Sequence, residues 1–494
     1  NALTFTGGFT FQNYQRKSLA QSAAGFSNNT LENYDLGAAE SINTPNTGYS
    51  EWGLLSGLGR INYTLLNRYL FTASIRSDGS SRFGENNKWG YFPSAAFAWR
   101  ITDEPFFQFP LINELKLRTS IGKSGNTGLS PYQSLNRLGS IGTAYTGEQR
   151  VVGFRPIAIA NPDLKWETTT QIDIGVDMEI VDGRYRFTID YYKKNTEDLL
   201  ASVPLPPSLG FSSILQNIGE IQNQGIEFSV AADILTGAFQ WDVFAQISAN
   251  RNEVVELAGG NDIFGGGTSI PFNSTINIAR VGEPFGVFYG KIETGYDDEG
   301  LMTFEDIDGD TFVNDLDRVI IGNPYPDFIY SFNTNFSYKG FDLNAFFEGV
   351  QGNDIFFATA GTHGNSFQRG TNQFADLFGN YWTPENTDAK YGRISSSTNY
   401  QVSDRFIEDG SYLRLKSLTL AYNIPTESVS WIGSAQLYVS GTNLFTITNY
   451  PGLDPEVNTL GSDSGNVGGR LRVGIDLGAY PNSRIYSLGV KLGL

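Results

Sequence analysis

Apolar and polar residues alternate with period two along most of the chain. Arg184-Tyr185-Arg186-Phe187-Thr188-Ile189-Asp190-Tyr191 is one such run. Ile172, Ile174, Val176, Met178 and Ile180 are separated by Asp173, Gly175, Asp177 and Glu179. The same pattern recurs at Phe239, Trp241, Val243, Ala245 and Ile247, at Phe328, Tyr330, Phe332, Phe336 and Tyr338, and at Tyr486, Leu488, Val490, Leu492 and Leu494. Successive side chains of a strand point to opposite faces, so each run predicts a strand with one apolar and one polar face. A helix over Phe328 to Tyr338 would scatter the aromatic rings around its cylinder.

Asp182-Gly183, Thr236-Gly237 and Lys339-Gly340 join neighbouring runs, and such pairs supply the positive φ of tight hairpins. Other connections are long and rich in Gly, Asn, Ser and Thr, as over 124–163, 257–283 and 351–405. About fifteen strands are predicted, starting near residues 3, 52, 68, 91, 113, 165, 184, 217, 238, 286, 327, 341, 410, 435 and 484. The expected fold is all-β and antiparallel, with short turns at one end and long loops at the other.

Alternation fits two architectures. A soluble sandwich hides its apolar face, whereas a membrane barrel turns that face to lipid and its polar face to a wet lumen. Three features favour the barrel. Aromatics concentrate near strand ends, as at Tyr69 and Phe71, Tyr91 and Phe92, and Tyr191 and Tyr192. Loop lengths are asymmetric. The chain is also long for one sandwich and has no evident linker. No apolar run approaches the ~20 residues of a helical span. The chain opens at Asn1 with no basic or apolar leader, so processing or truncation of the start is expected.

Composition narrows the chemistry. Among 494 residues there is no cysteine and one histidine, which excludes disulfides and cysteine-ligated metals. The net charge of −18 argues against a nucleic-acid binder, since phosphate neutralisation needs Lys and Arg. Hydrophobic residues at 40% argue against disorder.

Several stretches then point to a family. Ser77-Asp78-Gly79-Ser80-Ser81-Arg82-Phe83-Gly84, with Trp89-Gly90-Tyr91-Phe92-Pro93-Ser94 and Trp99-Arg100, resembles the SusC/RagA-type TonB-linked outer-membrane transporters. Asn161-Pro162-Asp163-Leu164-Lys165-Trp166-Glu167, Asn217-Ile218-Gly219-Glu220 and Asn223-Gln224-Gly225-Ile226-Glu227 are similar to further signatures of that family. So are Tyr412-Leu413-Arg414-Leu415-Lys416, Thr442-Asn443-Leu444-Phe445 and Asp454-Pro455-Glu456. The matches run in family order from about residue 51 to the end.

The resemblance implies a plugged transmembrane β-barrel of about 22 strands in the bacterial outer membrane. It also implies TonB-energised uptake of glycan oligosaccharides or peptides, a SusD-like surface lipoprotein as partner, and no catalysis. No plug domain or TonB box is found in this chain. Residues 1–494 are therefore expected to form a C-terminal portion of the barrel, with the TonB complex engaged through a region outside it. The runner-up is a siderophore- or cobalamin-type TonB-dependent receptor, and after it a secreted, soluble all-β carbohydrate-binding protein.

The sharpest local motif runs from Asp306 to Asp317. Oxygen-bearing side chains fall at positions 1, 3, 5, 9 and 12, namely Asp306, Asp308, Asp310, Asn314 and Asp317, with the Phe312 carbonyl at position 7. That is the ligand spacing of a twelve-residue calcium loop. Thr311 stands where such loops carry glycine, and Asp317 is one methylene shorter than the usual glutamate. The alternative is a solvated acidic loop, or a pairing of one carboxylate with Arg318. Polar strand residues expected to face the lumen are Lys116, Arg118, Arg184, Arg186, Asn333, Asn335, Asp342, Asn344 and Glu348. His363 reads as an exposed loop residue, because without a second histidine or a cysteine it cannot build a typical transition-metal site. No nucleophile elbow is found, and Gly265-Gly266-Gly267 lacks a P-loop lysine and reads as loop.

Overall fold

The computed structural model describes residues 1–494 apart from 31, 33, 147–148, 212, 266–271, 273, 365–371, 395–399, 427–430, 458–469 and 494. Gly266, Gly267 and Leu494 therefore lie outside the described residues. Fourteen strands form one continuous antiparallel sheet in which each strand pairs with its neighbours in sequence. They are β1 (Ala2–Ala20), β2 (Asn46–Leu65), β3 (Tyr69–Ser80), β4 (Trp89–Arg100), β5 (Ile112–Asn126), β6 (Glu167–Ile180), β7 (Tyr185–Glu197), β8 (Glu220–Thr236), β9 (Phe239–Glu256), β10 (Phe328–Tyr338), β11 (Phe341–Gln351), β12 (Tyr412–Ile424), β13 (Ser434–Thr448) and β14 (Ile485–Gly493).

The fifteenth predicted strand, near residue 286, is not part of this wall. Val287–Gly290 is four residues long, fully buried, and belongs to a small four-stranded sheet inside a loop. It is too short to cross a bilayer, which takes ~9–11 residues. Its continuous apolar run signals burial on both faces rather than an amphipathic wall.

At one end the strands close through residues 66–68, 181–184, 237–238 and 339–340, where Asn67, Asp182, Gly183, Lys339 and Gly340 all take positive φ. At the other end stand the connections 127–166, 257–327, 352–411 and 449–484. The predicted asymmetry is thus present.

Register fixes which residues share a face. Ile121, Ile172 and Lys193 lie side by side, and so do Thr119, Ile174, Tyr191 and Ile226. The apolar side chains of β5 to β9 therefore fall on one face, and Lys116, Arg118, Asp177 and Asp190 fall on the other. The apolar face is bare: Ile121 is 50% exposed and Ile226 is 56% exposed. A water-soluble sandwich would bury these side chains, while lipid is their natural solvent. Near the short turns this face carries neighbouring rings, stacked in Tyr63–Phe71 at 6.4 Å, Tyr69–Trp99 at 6.5 Å and Trp241–Phe336 at 5.7 Å and tilted in Phe71–Phe97 at 5.0 Å. Glu104, in the β4–β5 turn, accepts hydrogen bonds from Tyr69 Oη (2.5 Å) and Trp99 Nε1 (3.0 Å) and pairs with Arg68 at 3.2 Å. It thereby fixes the polar tips of one aromatic girdle.

The conventional apolar core lies in the long loops. Phe288, Phe356 and Ile475 come from three different connections and are each 0% exposed. Main-chain bonds tie two of those loops together, Phe356 N to Gly474 O at 2.9 Å and Asp476 N to Phe356 O at 3.0 Å. The molecule thus uses the hydrophobic effect in two solvents. The wall is apolar outward, and the loop assembly is apolar inward.

Candidate functional site

The polar face of the wall is a network of ion pairs and amide ladders. Arg118 grips Asp177 with two bonds, Nε to Oδ2 at 2.8 Å and Nη2 to Oδ1 at 2.9 Å, and reaches Asp190 at 3.0 Å. Lys116 joins Asp177 at 3.3 Å, and Ser120 donates to Asp173 at 2.9 Å. Gly175 sits in register between Arg118 and Asp190. A Cβ there would lie 2.0 Å from Asp190 Oδ1, so the missing side chain makes the bridge possible.

Asn344 donates to Asn333 at 2.9 Å and also to Asn335. Asn335 donates to Asp242 at 2.6 Å, and Asp342 accepts from Ser337 and Asn423. Glu348 pairs with Lys416 at 3.5 Å. Lys116, Arg118, Asn333, Asn335, Asp342, Asn344 and Glu348 therefore line one face, as expected. Arg184 does not. It lies in the β6–β7 turn beside the C-terminal end of β8, where its guanidinium donates to the carbonyls of Asp233 (2.5 Å) and Ile234. The register of β8 against β9 breaks between Asp233 and Leu235, and the cation sits at that irregularity. Arg186 stays near the same end, 4.0 Å from Asp233 and 3.2 Å from the Gly183 carbonyl.

The family-like stretches meet where the wall enters the loops. Phe83, Phe92, Leu129, Leu164, Trp166 and Leu200 form one buried cluster, with the Phe83 and Trp166 rings 4.6 Å apart. Glu167, 2% exposed, accepts from Asn126 at 2.9 Å, from the Leu200 amide at 2.9 Å and from Arg470 at 3.0 Å. Asn217 ties three segments by donating to the Lys165 and Asp198 carbonyls, both at 2.8 Å, and accepting from the Lys165 amide at 2.9 Å. Arg414, 2% exposed, pairs with Asp454 and with Glu456 at 2.7 Å, while Lys416 pairs with Glu456 at 2.8 Å. Arg414 holds the Asp454 carboxyl below the usual range against the opposing effect of burial, helped by the Asn482 and Glu456 amides. These stretches are joints between wall and loops. Their spacing in sequence, an arginine-lysine strand followed some forty residues later by an Asp-Pro-Glu, is the only signal that could have revealed the joint beforehand.

In the loop 257–327, carboxylate oxygens of Asp306, Asp308 and Asp317 lie within 4.8 Å of one another. The other three predicted ligands are turned elsewhere. Asp310 caps the Phe312 amide at 2.7 Å, and Asn314 accepts from the Leu316 amide at 2.8 Å. The Phe312 carbonyl accepts from the Asn314 side chain at 3.2 Å. Asp317 is fully buried and accepts the amides of Asn314 (2.7 Å), Ile307 (2.8 Å) and Asp308 (3.4 Å), which hold its carboxyl below the usual range. The Asp310 amide pulls Asp308 down, but burial and the charges of Asp310, Asp317 and Asp306 leave it raised. Thr311 adopts φ 72°, so it takes the left-handed turn that glycine usually supplies at position 6. Arg318 pairs with none of the loop carboxylates. It donates to the Thr275 and Tyr289 carbonyls, both at 2.6 Å. His363 ends a short helix, Ala358–His363, rather than standing in a loop. It is half-buried, with Nδ1 2.6 Å from the Asn372 carbonyl.

Near that helix the loops enclose a cavity of about 260 Å³ walled by Phe357, Phe374, Tyr391 and Tyr400. Its charged groups are unequally engaged. Lys390 pairs with Asp376 at 2.6 Å and Arg405 with Glu293, whereas burial pushes the Glu408 carboxyl up. Aromatic faces with polar groups at their rim suit stacking and hydrogen bonding of a polar ligand.

A lipid-facing antiparallel wall with a polar inner face and a packed loop assembly at one end defines a transmembrane β-barrel protein of the bacterial outer membrane. The chain belongs to the family described as TonB dependent receptor-like, beta-barrel, which it matches over residues 2–444. TonB-dependent receptor P3 of Formosa agariphila is 37% identical over 511 residues, covering 99% of this chain and 50% of that protein. TonB-dependent receptor SusC of Bacteroides thetaiotaomicron is 33% identical over 459 residues, covering 89% of this chain and 43% of that protein. The structure of the RagAB peptide transporter superposes with a TM-score of 0.82 at 26% identity, covering 99% of this chain and 53% of that one. The chain spans about half the length of the curated relatives it matches.

Proposed function

We propose that these residues form part of the wall and outer loops of a TonB-energised nutrient importer, working with a SusD-like lipoprotein. Glycan oligosaccharides are the first candidate cargo and peptides the second. The observation that carries this reading is the likeness over almost the whole chain to SusC and to the RagAB peptide transporter. The polar inner face and the aromatic cavity beside Glu408 fit a polar cargo that is passed along rather than chemically changed. Specificity resides in the loops 257–327, 352–411 and 449–484. Deleting the gene and measuring uptake of fluorescent oligosaccharides and of oligopeptides tests this. Loss of one class of uptake, restored by the gene, supports the reading and names the cargo. Unchanged uptake of both, with no lipoprotein co-purifying, refutes it.

We further propose that the 306–317 loop holds one calcium ion through Asp306, Asp308 and Asp317. Hard oxygen donors that close repel one another and favour a hard cation. Asp310, Asn314 and the Phe312 carbonyl complete the shell by releasing their present hydrogen bonds. Terbium luminescence excited near Phe312 should rise on titration and be displaced by calcium. Asp308→Asn should weaken binding about tenfold or more, as loss of one charged ligand does. Equal terbium binding by that variant would remove the assignment.

A further inference from the structure

A cavity of about 740 Å³ opens on the outside of the wall, between β7, β8 and β9 and the segments around Pro284 and Tyr325. Register places its floor on the lipid face. Tyr191, Ile226 and Ala249 are directly aligned there, beside Ile174. Two residues further toward the long loops, the next row on the same face is Lys193, Gln224 and Arg251. One row beyond stand Asn195, Gln222 and Glu253. The outer face therefore changes from apolar to polar within two residues, about 7 Å along the strands. Strand length explains the change. β8 has 17 residues and β9 has 18, whereas crossing the hydrocarbon takes ~9–11, so the upper rows stand at head-group level.

Lys193 and Arg251 are both exposed, and neither has a hydrogen-bond or ion-pair partner among the described residues. One strand separates them, which puts their backbones about 10 Å apart. Arg251, Glu253, Asp327 and the amides of Gln222 and Gln224 line the groove, and Lys193, aligned with Gln224 on the same face, stands beside it. An anion alone would leave the carboxylates opposed to it. A head group with both a phosphate and sugar hydroxyls uses every one of these groups, and its acyl chains continue over the apolar floor.

We propose that this groove, with Lys193 beside it, binds one phosphorylated glycolipid of the outer leaflet, the phosphate held between Arg251 in the groove and Lys193 at its rim and the hydroxyls by Gln222, Gln224, Glu253 and Asp327. The site lies outside the lumen and is separate from cargo transport. The full receptor, purified from its outer membrane and delipidated, is titrated with monophosphoryl lipid A and followed by native mass spectrometry. The fully dephosphorylated glycolipid and phosphatidylethanolamine serve as comparison probes. Only the phosphorylated glycolipid should give a saturable one-to-one complex. Lys193→Gln with Arg251→Gln should weaken it about thirtyfold, a factor of five to six for each surface charge. Lys193→Arg with Arg251→Lys should restore binding, which separates charge from folding. Equal binding of the dephosphorylated probe, equal or tighter binding of phosphatidylethanolamine, or undiminished binding by the double glutamine variant would overturn the proposal.

Discussion

Gly175 illustrates how a single residue permits an inner-face network. Arg118 crosses above it to reach Asp190, and any Cβ would meet both groups, at 2.0 Å from Asp190 and 2.8 Å from Arg118. These ion pairs are partly exposed, so each contributes only about 0–1 kcal/mol in itself. All the atoms met are ends of flexible side chains that can turn aside, so Gly175→Ala should break the Arg118–Asp190 bridge and cost no more than about 1 kcal/mol. Urea unfolding in detergent reads this, with Gly57→Ala as control, because a Cβ at Gly57 meets nothing within 4 Å. Asp317 gives a pH prediction. Amides from Asn314, Ile307 and Asp308 hold its folded pKa below the ordinary value. A depressed carboxylate stabilises above its unfolded pKa, near 4, and that stability is lost as pH falls through the folded value. Protection of the amides across 305–320 relative to their intrinsic exchange rate at each pH should stay flat from pH 7 to about 5 and fall only below about 4. Asp317→Asn should be loose throughout and lose the acid step. The sequence exposed the spacing of this loop because ligand positions are local. It could not say that Asp310 and Asn314 spend their oxygens on backbone amides, since that depends on turns at Gly309 and Thr311.

At the scale of elements, strands were legible and loop architecture was not. β6 and β7 alternate because one face meets lipid and the other meets the polar inner network, and that constraint is written residue by residue. Phe288, Phe356 and Ile475 carry no such pattern, since a loop core needs only apolar bulk at three remote places. The joints were visible as motifs, but their purpose was not. The Arg414 joint is the most buried of them. Arg414 has no access to water and faces two carboxylates, one of them also buried. Removing one partner of a buried pair leaves a charge without compensation and costs about 3–5 kcal/mol. Arg414→Met should therefore release the 449–484 loop while leaving the β12–β13 ladder paired. Limited proteolysis should cut within 449–484 several-fold faster, and a heat-modifiable band should persist. Loss of the band as well would mean that the joint holds the wall, not merely the loop.

At the scale of the whole molecule, the sheet has two free edges. β1 and β14 each pair on one side, and among the described residues they do not pair with each other. β1 is 19 residues long and exposed along its whole length. Roughly half of its amides and carbonyls point to the open side, because ladder bonds alternate between neighbours. In water such an edge invites pairing, and in hydrocarbon each unmet polar group costs several kcal/mol. Apolar residues on the same strand, Leu3, Phe5, Phe9 and Phe11, keep it from staying in water. Residues 1–494 expressed alone should therefore satisfy these edges with other copies. Semi-native gels should show a ladder of oligomers or aggregate in place of a single heat-modifiable band. Adding the remaining strands of a relative such as SusC in trans should sharpen that ladder into one species if they complete the same sheet. A monodisperse monomer from 1–494 alone would require β1 and β14 to meet, and would make this wall a smaller closed barrel in its own right.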